Sequence, residues 1–422
     1  MKRSCLSFLL ALLVSGAAYA SDSNPDNKRF KSNYNNEEGF AAPGSTVRLL
    51  EEDDLEKASV FRFPEFDETL KPWFEQKKKL NDEQGLQLSL AYTMTYQKAS
   101  ASLTDEDQGA TGILRASGKW EALNRGQKNK GSLVFSIDNR HKLGDVAAAD
   151  LANEIGYIGS TAVLFSDVGT VLVDFNWQQF ANDGNTGILV GRYDPSDYLN
   201  ILGYVNPWTT FQNLNTLLDS SVAYPDAGLG AGFGHWFNDH WYTVAGFNDA
   251  NGKLDEVNAY QDGAEFFKFA ELGWSPGRDQ RYLTNIHVSF WDVDEREQDG
   301  LDAAYGITVA ANWTQNETWM IFGKLGWSDV DAPNDPQIYE ESYTIGGLYY
   351  FSDSSDLAGI AINHGELAAV GLGTQTTGEL FYRIQFAQNL AITPSLQVLK
   401  DPALNDEKET ITILGLRLRL TL

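Results

Sequence analysis

The sequence predicts an all-β protein: a transmembrane antiparallel β-barrel of about sixteen strands, with a short N-terminal helix and an inward-folded constriction segment. Three observations predict it. The chain ends in Thr410-Ile-Thr-Ile-Leu-Gly-Leu-Arg-Leu-Arg-Leu-Thr-Leu422, where Leu414, Leu416, Leu418, Leu420 and Leu422 alternate with Gly415, Arg417, Arg419 and Thr421. Successive strand side chains point to opposite faces, so one face is pure leucine and the other carries two charges. The alternation recurs along the chain in segments of about ten residues, as in a barrel with lipid outside and water inside. Finally, the chain opens on an export signal.

That signal has Lys2 and Arg3 as its charged start, Leu6 to Val14 as its apolar run and Ala18-Tyr-Ala20 as its small-residue cleavage site. The apolar run is too short to span a bilayer. Residues 1–20 are therefore expected to be removed. The only cysteine, Cys5, goes with them, which excludes a disulfide framework or a thiolate metal site in the mature chain.

Composition excludes other classes. The chain carries 58 acidic against 32 basic residues, a net charge of −26. Nucleic acid is not an expected partner, since phosphate binding needs clustered Lys and Arg. The acidity also argues against a general anion channel. Past the signal no apolar run is long enough for a transmembrane helix, so a membrane-spanning form must be a closed barrel.

The mature chain divides into three parts. Residues 21–66 are polar and acidic, as in Asn33-Tyr-Asn-Asn-Glu-Glu38 and Glu51-Glu-Asp-Asp54, and read as a flexible periplasmic extension. Residues 67–84 hold a short helix and lead-in. Asp67 stands at its start and Lys77-Lys-Lys79 at its end, matching the helix dipole. Its Leu70, Trp73, Phe74 and Leu80 are expected to pack at or inside the barrel mouth. Residues 85–422 form the barrel.

The barrel strands follow from alternation. Leu86, Leu88, Leu90, Tyr92, Met94 and Tyr96 alternate with Gln87, Ser89, Ala91, Thr93, Thr95 and Gln97. Leu114, Ala116, Gly118 and Trp120 oppose Arg115, Ser117, Lys119 and Glu121, and Leu380, Tyr382, Ile384 and Phe386 oppose Glu379, Phe381, Arg383 and Gln385. Similar reasoning places strands near 133–138, 155–165, 168–178, 187–192, 228–237, 240–248, 264–274, 286–291, 303–313, 317–327, 342–351, 356–363 and 390–399. That is one more than about sixteen, the even count expected from about 21 residues per strand and connection. Tyr92, Tyr96, Trp120, Trp274, Trp313, Trp319, Trp327, Tyr349 and Tyr350 fit interfacial aromatic girdles.

One stretch breaks the rhythm. Residues 193–223 are too long for a hairpin turn and, with Tyr204, Trp208 and Phe211, too aromatic for a solvated loop. Such a segment is usually functional or packed by its own side chains. On a wide barrel it belongs in the lumen.

Catalytic signatures are weak: Gly273-Trp-Ser-Pro-Gly277 has the Gly-x-Ser-x-Gly spacing but lies in a turn-rich piece, and the sequence has no His-Glu-x-x-His, Gly-x-x-x-x-Gly-Lys or Gly-x-Gly-x-x-Gly. The five histidines, His141, His235, His240, His287 and His364, are scattered, without metal-ligand spacing. The reading is a non-enzyme without cofactor or metal. A rival barrel enzyme would need a Ser-His pair at the lipid-facing rim, which no motif supplies. What remains is a lumen lined by polar, charged and aromatic side chains, including Arg115, Lys119, Arg417 and Arg419 on the strands and Trp208 in the inward segment. Neutral sugars suit such a wall, through hydroxyl hydrogen bonds and stacking of C–H faces on rings, with selectivity set by pore diameter and lining.

Three motifs resemble the carbohydrate-selective porins of the OprB type from Gram-negative outer membranes. They are the helix leading into Gly85-Leu-Gln-Leu-Ser-Leu-Ala-Tyr-Thr93, then Gly191-Arg-Tyr-Asp-Pro-Ser-Asp-Tyr-Leu199 with Thr210-Phe-Gln-Asn-Leu, and Glu379-Leu-Phe-Tyr-Arg-Ile-Gln385 running into Leu390-Ala-Ile-Thr-Pro-Ser-Leu-Gln397 and Asp401-Pro402. The resemblance covers most of 67–422. It implies passive diffusion of glucose-like mono- and small oligosaccharides, with Arg192 and Asp194 at the root of the constriction and Glu379 and Arg383 facing the lumen. Implied partners are the carbohydrate, outer-membrane lipid and the barrel-assembly machinery reading the C-terminal strand. A terminal Leu422, where such barrels usually end in an aromatic residue, departs from the pattern. A general diffusion porin is the alternative.

Overall fold

Among the residues that the computed structural model describes (39–257, 260, 263–296, 300–329, 338–352 and 354–422), sixteen strands close into one antiparallel barrel. In chain order they are β1 (Leu86–Ala99), β2 (Gln108–Leu123), β3 (Gly131–Lys142), β4 (Gly169–Ala181), β5 (Thr186–Tyr193), β6 (Gly228–Trp236), β7 (Trp241–Asp249) and β8 (Phe266–Trp274). They continue with β9 (Thr284–Val293), β10 (Ala304–Gln315), β11 (Trp319–Asp329), β12 (Tyr339–Tyr350), β13 (Leu357–Leu367), β14 (Thr374–Ala387), β15 (Leu390–Lys400) and β16 (Thr410–Thr421). Each strand pairs with its sequence neighbours, and β1 pairs with β16 in a register that sets Met94 opposite Leu418 and Thr93 opposite Arg419. No sheet edge is left unpaired, as a spanning barrel requires.

The alternation sorts the faces as expected. On β16, Leu414 and Leu416 are exposed outward, while Arg417 and Arg419 are buried inward. On β1, Thr93, Thr95 and Gln97 are buried on the inner face and Tyr96 is exposed on the outer one. Of the expected girdle residues, Trp120, Trp319 and Trp327 are also exposed near strand ends. Tyr350 is different: its neighbour Tyr349 faces out against Trp319, and Tyr350 turns inward to meet Tyr204 edge-on at 5.0 Å.

The supernumerary strand expected at 155–165 is not a strand. A one-turn helix, Leu151–Glu154, precedes it, and the chain up to β4 is irregular. Its apolar residues Ile155, Tyr157, Ile158, Ala162 and Phe165 are buried. They pack inside the barrel instead of facing lipid, and this produced an apolar pattern resembling a strand.

The two rims differ. Connections 182–185, 237–240, 316–318 and 388–389 are tight, whereas 143–168, 194–227 and 250–265 on the opposite rim are long. In outer-membrane barrels the short turns face the periplasm.

The N-terminal part departs most from expectation. Residues 1–20, the expected signal, and 21–38 lie outside the described residues. Residues 39–57 of the expected flexible extension are instead folded into the lumen. Helix α1 (Thr46–Asp53) buries Leu49 and Leu50 with Thr46, Arg48 and Asp53. Its polar side chains find partners on a polar inner wall, so an acidic, weakly periodic sequence still packs. Helix α2 (Pro64–Gln84) follows, longer than the expected 67–80. Pro64 suits the first turn, where no N–H partner is needed. Gly85, at φ 70°, closes it with its N–H on the Asn81 carbonyl, a conformation that favours glycine. The helix lies at the barrel mouth and not inside it, with Trp73 exposed and Lys77 donating to Asp54 and to the Leu422 carbonyl.

Candidate functional site

The lumen is narrowed from both ends. From the long-loop rim, residues 194–227 between β5 and β6 fold inward. The segment is built from local caps. Asp194 accepts the Ser196 N–H at 2.9 Å and its hydroxyl at 2.7 Å, starting the 3-10 turn Pro195–Asp197. Asn206 Oδ1 accepts the N–H groups of Trp208 and Thr209, each at 3.0 Å. Asn213 caps the one-turn helix Leu214–Leu217. Asx caps of this kind satisfy backbone donors without a neighbouring strand.

Opposite walls hold this loop. Glu379 of β14 accepts the N–H groups of Gln212 and Asn213 and the Thr216 hydroxyl, at 2.8, 3.0 and 2.7 Å. Arg417 of β16 donates to the carbonyls of Pro207 and Thr210 at 2.8 and 2.7 Å. Lys324 of β11 donates to the Leu218 carbonyl at 2.5 Å. On the β10–β14 side, Leu202, Tyr204, Val205, Phe211 and Leu217 pack with Met320, Phe322, Leu348 and Phe381. The second inward loop, 143–168, joins it: the Tyr157 hydroxyl donates to Asn213 Oδ1 at 2.9 Å, and Gln97 of β1 donates to the Thr161 carbonyl at 2.7 Å.

From the short-turn rim, α1 meets the same loop. The Ala42 N–H donates to the Asp197 carbonyl at 2.7 Å, and Leu49 shares an apolar cluster with Trp208. Asp53 receives Arg419 through both carboxylate oxygens at 3.0 Å and the Ser89 hydroxyl at 3.0 Å. Thr46 donates to Asp174 of β4 at 2.7 Å.

Where these parts converge, the β1–β4 and β16 wall carries a charged ladder. Arg115 donates from Nε to Asp138 at 2.7 Å, and Arg140 meets the same carboxylate at 3.0 Å. The Arg115 guanidinium lies 4.4 Å from the Trp208 ring centroid and that of Arg419 lies 5.6 Å from it. Cations over a ring face are favourable when desolvated. Beside this wall a cleft remains, lined by Phe40, Arg48, Glu51, Lys119, Lys130, Gln178 and Tyr198 among others.

The residues singled out from sequence fall into distinct places. Trp208, Arg115 and Arg419 come together. Lys119 lies in the cleft, 3.4 Å from Glu121. Arg417 faces inward and is covered by the loop it holds. Glu379 likewise has its carboxylate filled by loop donors. Arg383 meets Glu52 of α1 at 3.9 Å and Gln385 at 3.0 Å. Arg192 lies apart: it pairs in register with Phe175 and Leu229, both exposed on the outer face, and donates to the carbonyls of Leu172 at 2.6 Å and Lys253 at 2.5 Å. Asp194 holds its own turn, without a contact to Arg192. Sequence reasoning missed Asp138 and Asp174, though both occupy inward positions on alternating strands. It missed Asp53 for want of any such pattern.

Comparison with known proteins agrees with this architecture. Residues 234–422 match the model of the carbohydrate-selective porin family, OprB. The match runs from the end of β6 through β16, a little under half of the chain. No curated protein matches the sequence. The fold of this chain is similar to that of Pseudomonas putida OprB in its high-pH structure, with 13% identity, a TM-score of 0.67, and coverage of 83% of this chain and 97% of that one. It is also similar to the low-pH structure of the same P. putida protein, at 13% identity, TM-score 0.51, and coverage of 83% and 96%. At such identity the likeness is one of fold.

Proposed function

We propose that this porin sits in the outer membrane of a Gram-negative bacterium, exported by its N-terminal signal, and passes small neutral carbohydrates by passive diffusion. The observation that carries the reading is the cleft lined by Phe40, Glu51, Lys119, Lys130, Gln178 and Tyr198, backed by the buried wall where Trp208 meets Arg115 and Arg419. Alternating donors and acceptors next to a ring match the hydroxyls and C–H face of a sugar, and weak multi-point contact allows release. Arg115, Lys119 and Arg419 supply donors along the path. Glu379 and Arg417 hold the loop that sets its width, Asp194 shapes the start of that loop, and Arg192 anchors the rim. Arg383 links the wall to α1. Net acidity and internally paired cations disfavour free anions as cargo.

Liposome swelling with glucose, maltose and charged solutes of matched size tests this reading. Faster entry of the sugars, with sugar block of ion current weakened in Arg115→Ala, is the expected result. Equal entry of all solutes and no block of wild-type current would make it a general diffusion porin.

A further inference from the structure

Between α1 and α2 the chain climbs out of the lumen over the short-turn rim. Ala58 and Ser355 exchange hydrogen bonds of 3.0 Å, and the N–H groups of Val60 and Phe61 donate to the carbonyls of Gln385 and Phe386 at 2.9 Å each. Phe386 alternates with Leu380, Tyr382 and Ile384 on the outer face of β14, where Leu380 is exposed. Phe61 and Phe63 then pack on Phe386 at 4.8 and 6.2 Å between centroids. The chain has crossed from the inner surface to the lipid-facing one.

Helix α2 continues along that rim. At 3.6 residues per turn, Phe66, Leu70, Trp73, Phe74 and Leu80 form one stripe, while Glu65, Glu68, Lys71, Glu75 and Asp82 fall on the other side. Lys77, within the stripe, ties the helix to the barrel through Asp54 at 2.8 Å and the Leu422 carbonyl at 3.1 Å. At the far end the Gln84 carbonyl accepts the indole N–H of Trp120, an exposed outer-face residue, at 3.2 Å. Both ends of the helix thus join the outer aromatic band. Between them Phe61, Phe63, Phe66 and Trp73 are 49, 45, 48 and 40% exposed.

We propose that residues 60–80 are a membrane-interface anchor, with this aromatic strip lying in the headgroup and upper acyl region of the leaflet at the short-turn rim. The occupant is lipid because the strip is continuous with the band that already faces lipid, through Phe386 at one end and Trp120 at the other. An amphipathic helix with aromatics on one face and mixed charge on the other is the form that lies in such an interface.

Spin labels test it in the full chain. In a Cys5→Ala background, Phe66→Cys and Trp73→Cys place labels on the strip, and Glu68→Cys and Glu75→Cys on the opposite side, in nanodiscs of phosphatidylethanolamine and phosphatidylglycerol. Collision with a water-soluble nickel chelate is expected to be several-fold lower at 66 and 73 than at 68 and 75, with oxygen collision higher. Equal chelate access at all four sites would overturn the anchor, and so would dipolar broadening between copies, which would assign the strip to a second porin. Trp73→Phe reads the same point without a label: it should remove a component of indole fluorescence quenched by brominated lipid, and unchanged quenching would count against the proposal.

Discussion

The Glu379 carboxylate on β14 accepts the Gln212 backbone N–H at 2.8 Å, fastening a loop that enters from between β5 and β6 to the far side of the barrel. The contact also fixes what happens when it is lost. Glu379→Ala leaves the buried Gln212 and Asn213 N–H groups without their acceptor, at about 1–3 kcal/mol for each group left unsatisfied, while the Thr216 hydroxyl keeps the Asn213 carbonyl at 3.0 Å. The loop relieves this by swinging toward solvent while the strand ladder stays intact. Single-channel conductance should rise and heat-modifiable migration should persist. Unchanged conductance would show that the loop is held without Glu379.

Lipid-facing and inward residues of β16 should respond differently. Leu416 stands near mid-strand on the outer face, so Leu416→Arg should destabilise the barrel by about 2–4 kcal/mol if it lies at the bilayer midplane. Arg417→Gln keeps the barrel and loosens the hold on Pro207 and Thr210. Urea titration of the folded, heat-modifiable form distinguishes the two. Equal loss of stability would refute the register.

Asp53→Ala should release α1. Among the described residues it leaves Arg419 with Thr93 as its one side-chain hydrogen-bond partner, at 3.3 Å, and stranding one member of a buried pair costs about 3–5 kcal/mol. Because α1 precedes the first strand, it can leave the lumen without disturbing the ladder. Conductance should rise, and proteolysis near residues 46–57 should accelerate in the variant. A barrel that instead fails to fold would make α1 a structural necessity.

Acid should tighten the inward loop. Burial raises the Asp197 carboxyl well above its ordinary value, reinforced by Asp194 and Asp174 and opposed by Arg115, and burial likewise raises Asp194. The packed loop therefore binds protons that the loosened loop releases. Its packing is strongest below the ordinary carboxylate range and weakens as pH rises through the raised values. Current through the wild-type pore should fall on acidification from neutral pH. Asp197→Asn should carry the low-pH current already at neutral pH, and a wild-type profile in that variant would assign the response elsewhere.

The strands were legible because lipid imposes a period of two on every one of them, as on β1 and β16. The interior was less so. Ile155, Tyr157 and Phe165 are apolar for the sake of an inner wall, and their pattern resembles a lipid-facing strand. Asp53 and Thr46 are polar because the wall they meet is polar, so a packed helix had the composition of a solvated tail. Glu379 and Arg417 stand at inner-face positions of their alternating strands. Their hold on the loop backbone depends on where 206–216 comes to rest, which no local pattern records. Arg192 sat within a family-like motif and yet lies at the rim, since its strand position pairs it with Phe175 and Leu229.

Helix α1 is bound inside the pore and also joined, through the rim crossing at residues 58–63 and through α2, to the strand that begins the barrel wall. A helix leaving the lumen therefore stays within reach of its own mouth. Its return is a unimolecular event, driven by an effective concentration on the order of millimolar for a short tether. The fraction of open pores is then a property of each molecule, independent of how densely porins populate the membrane.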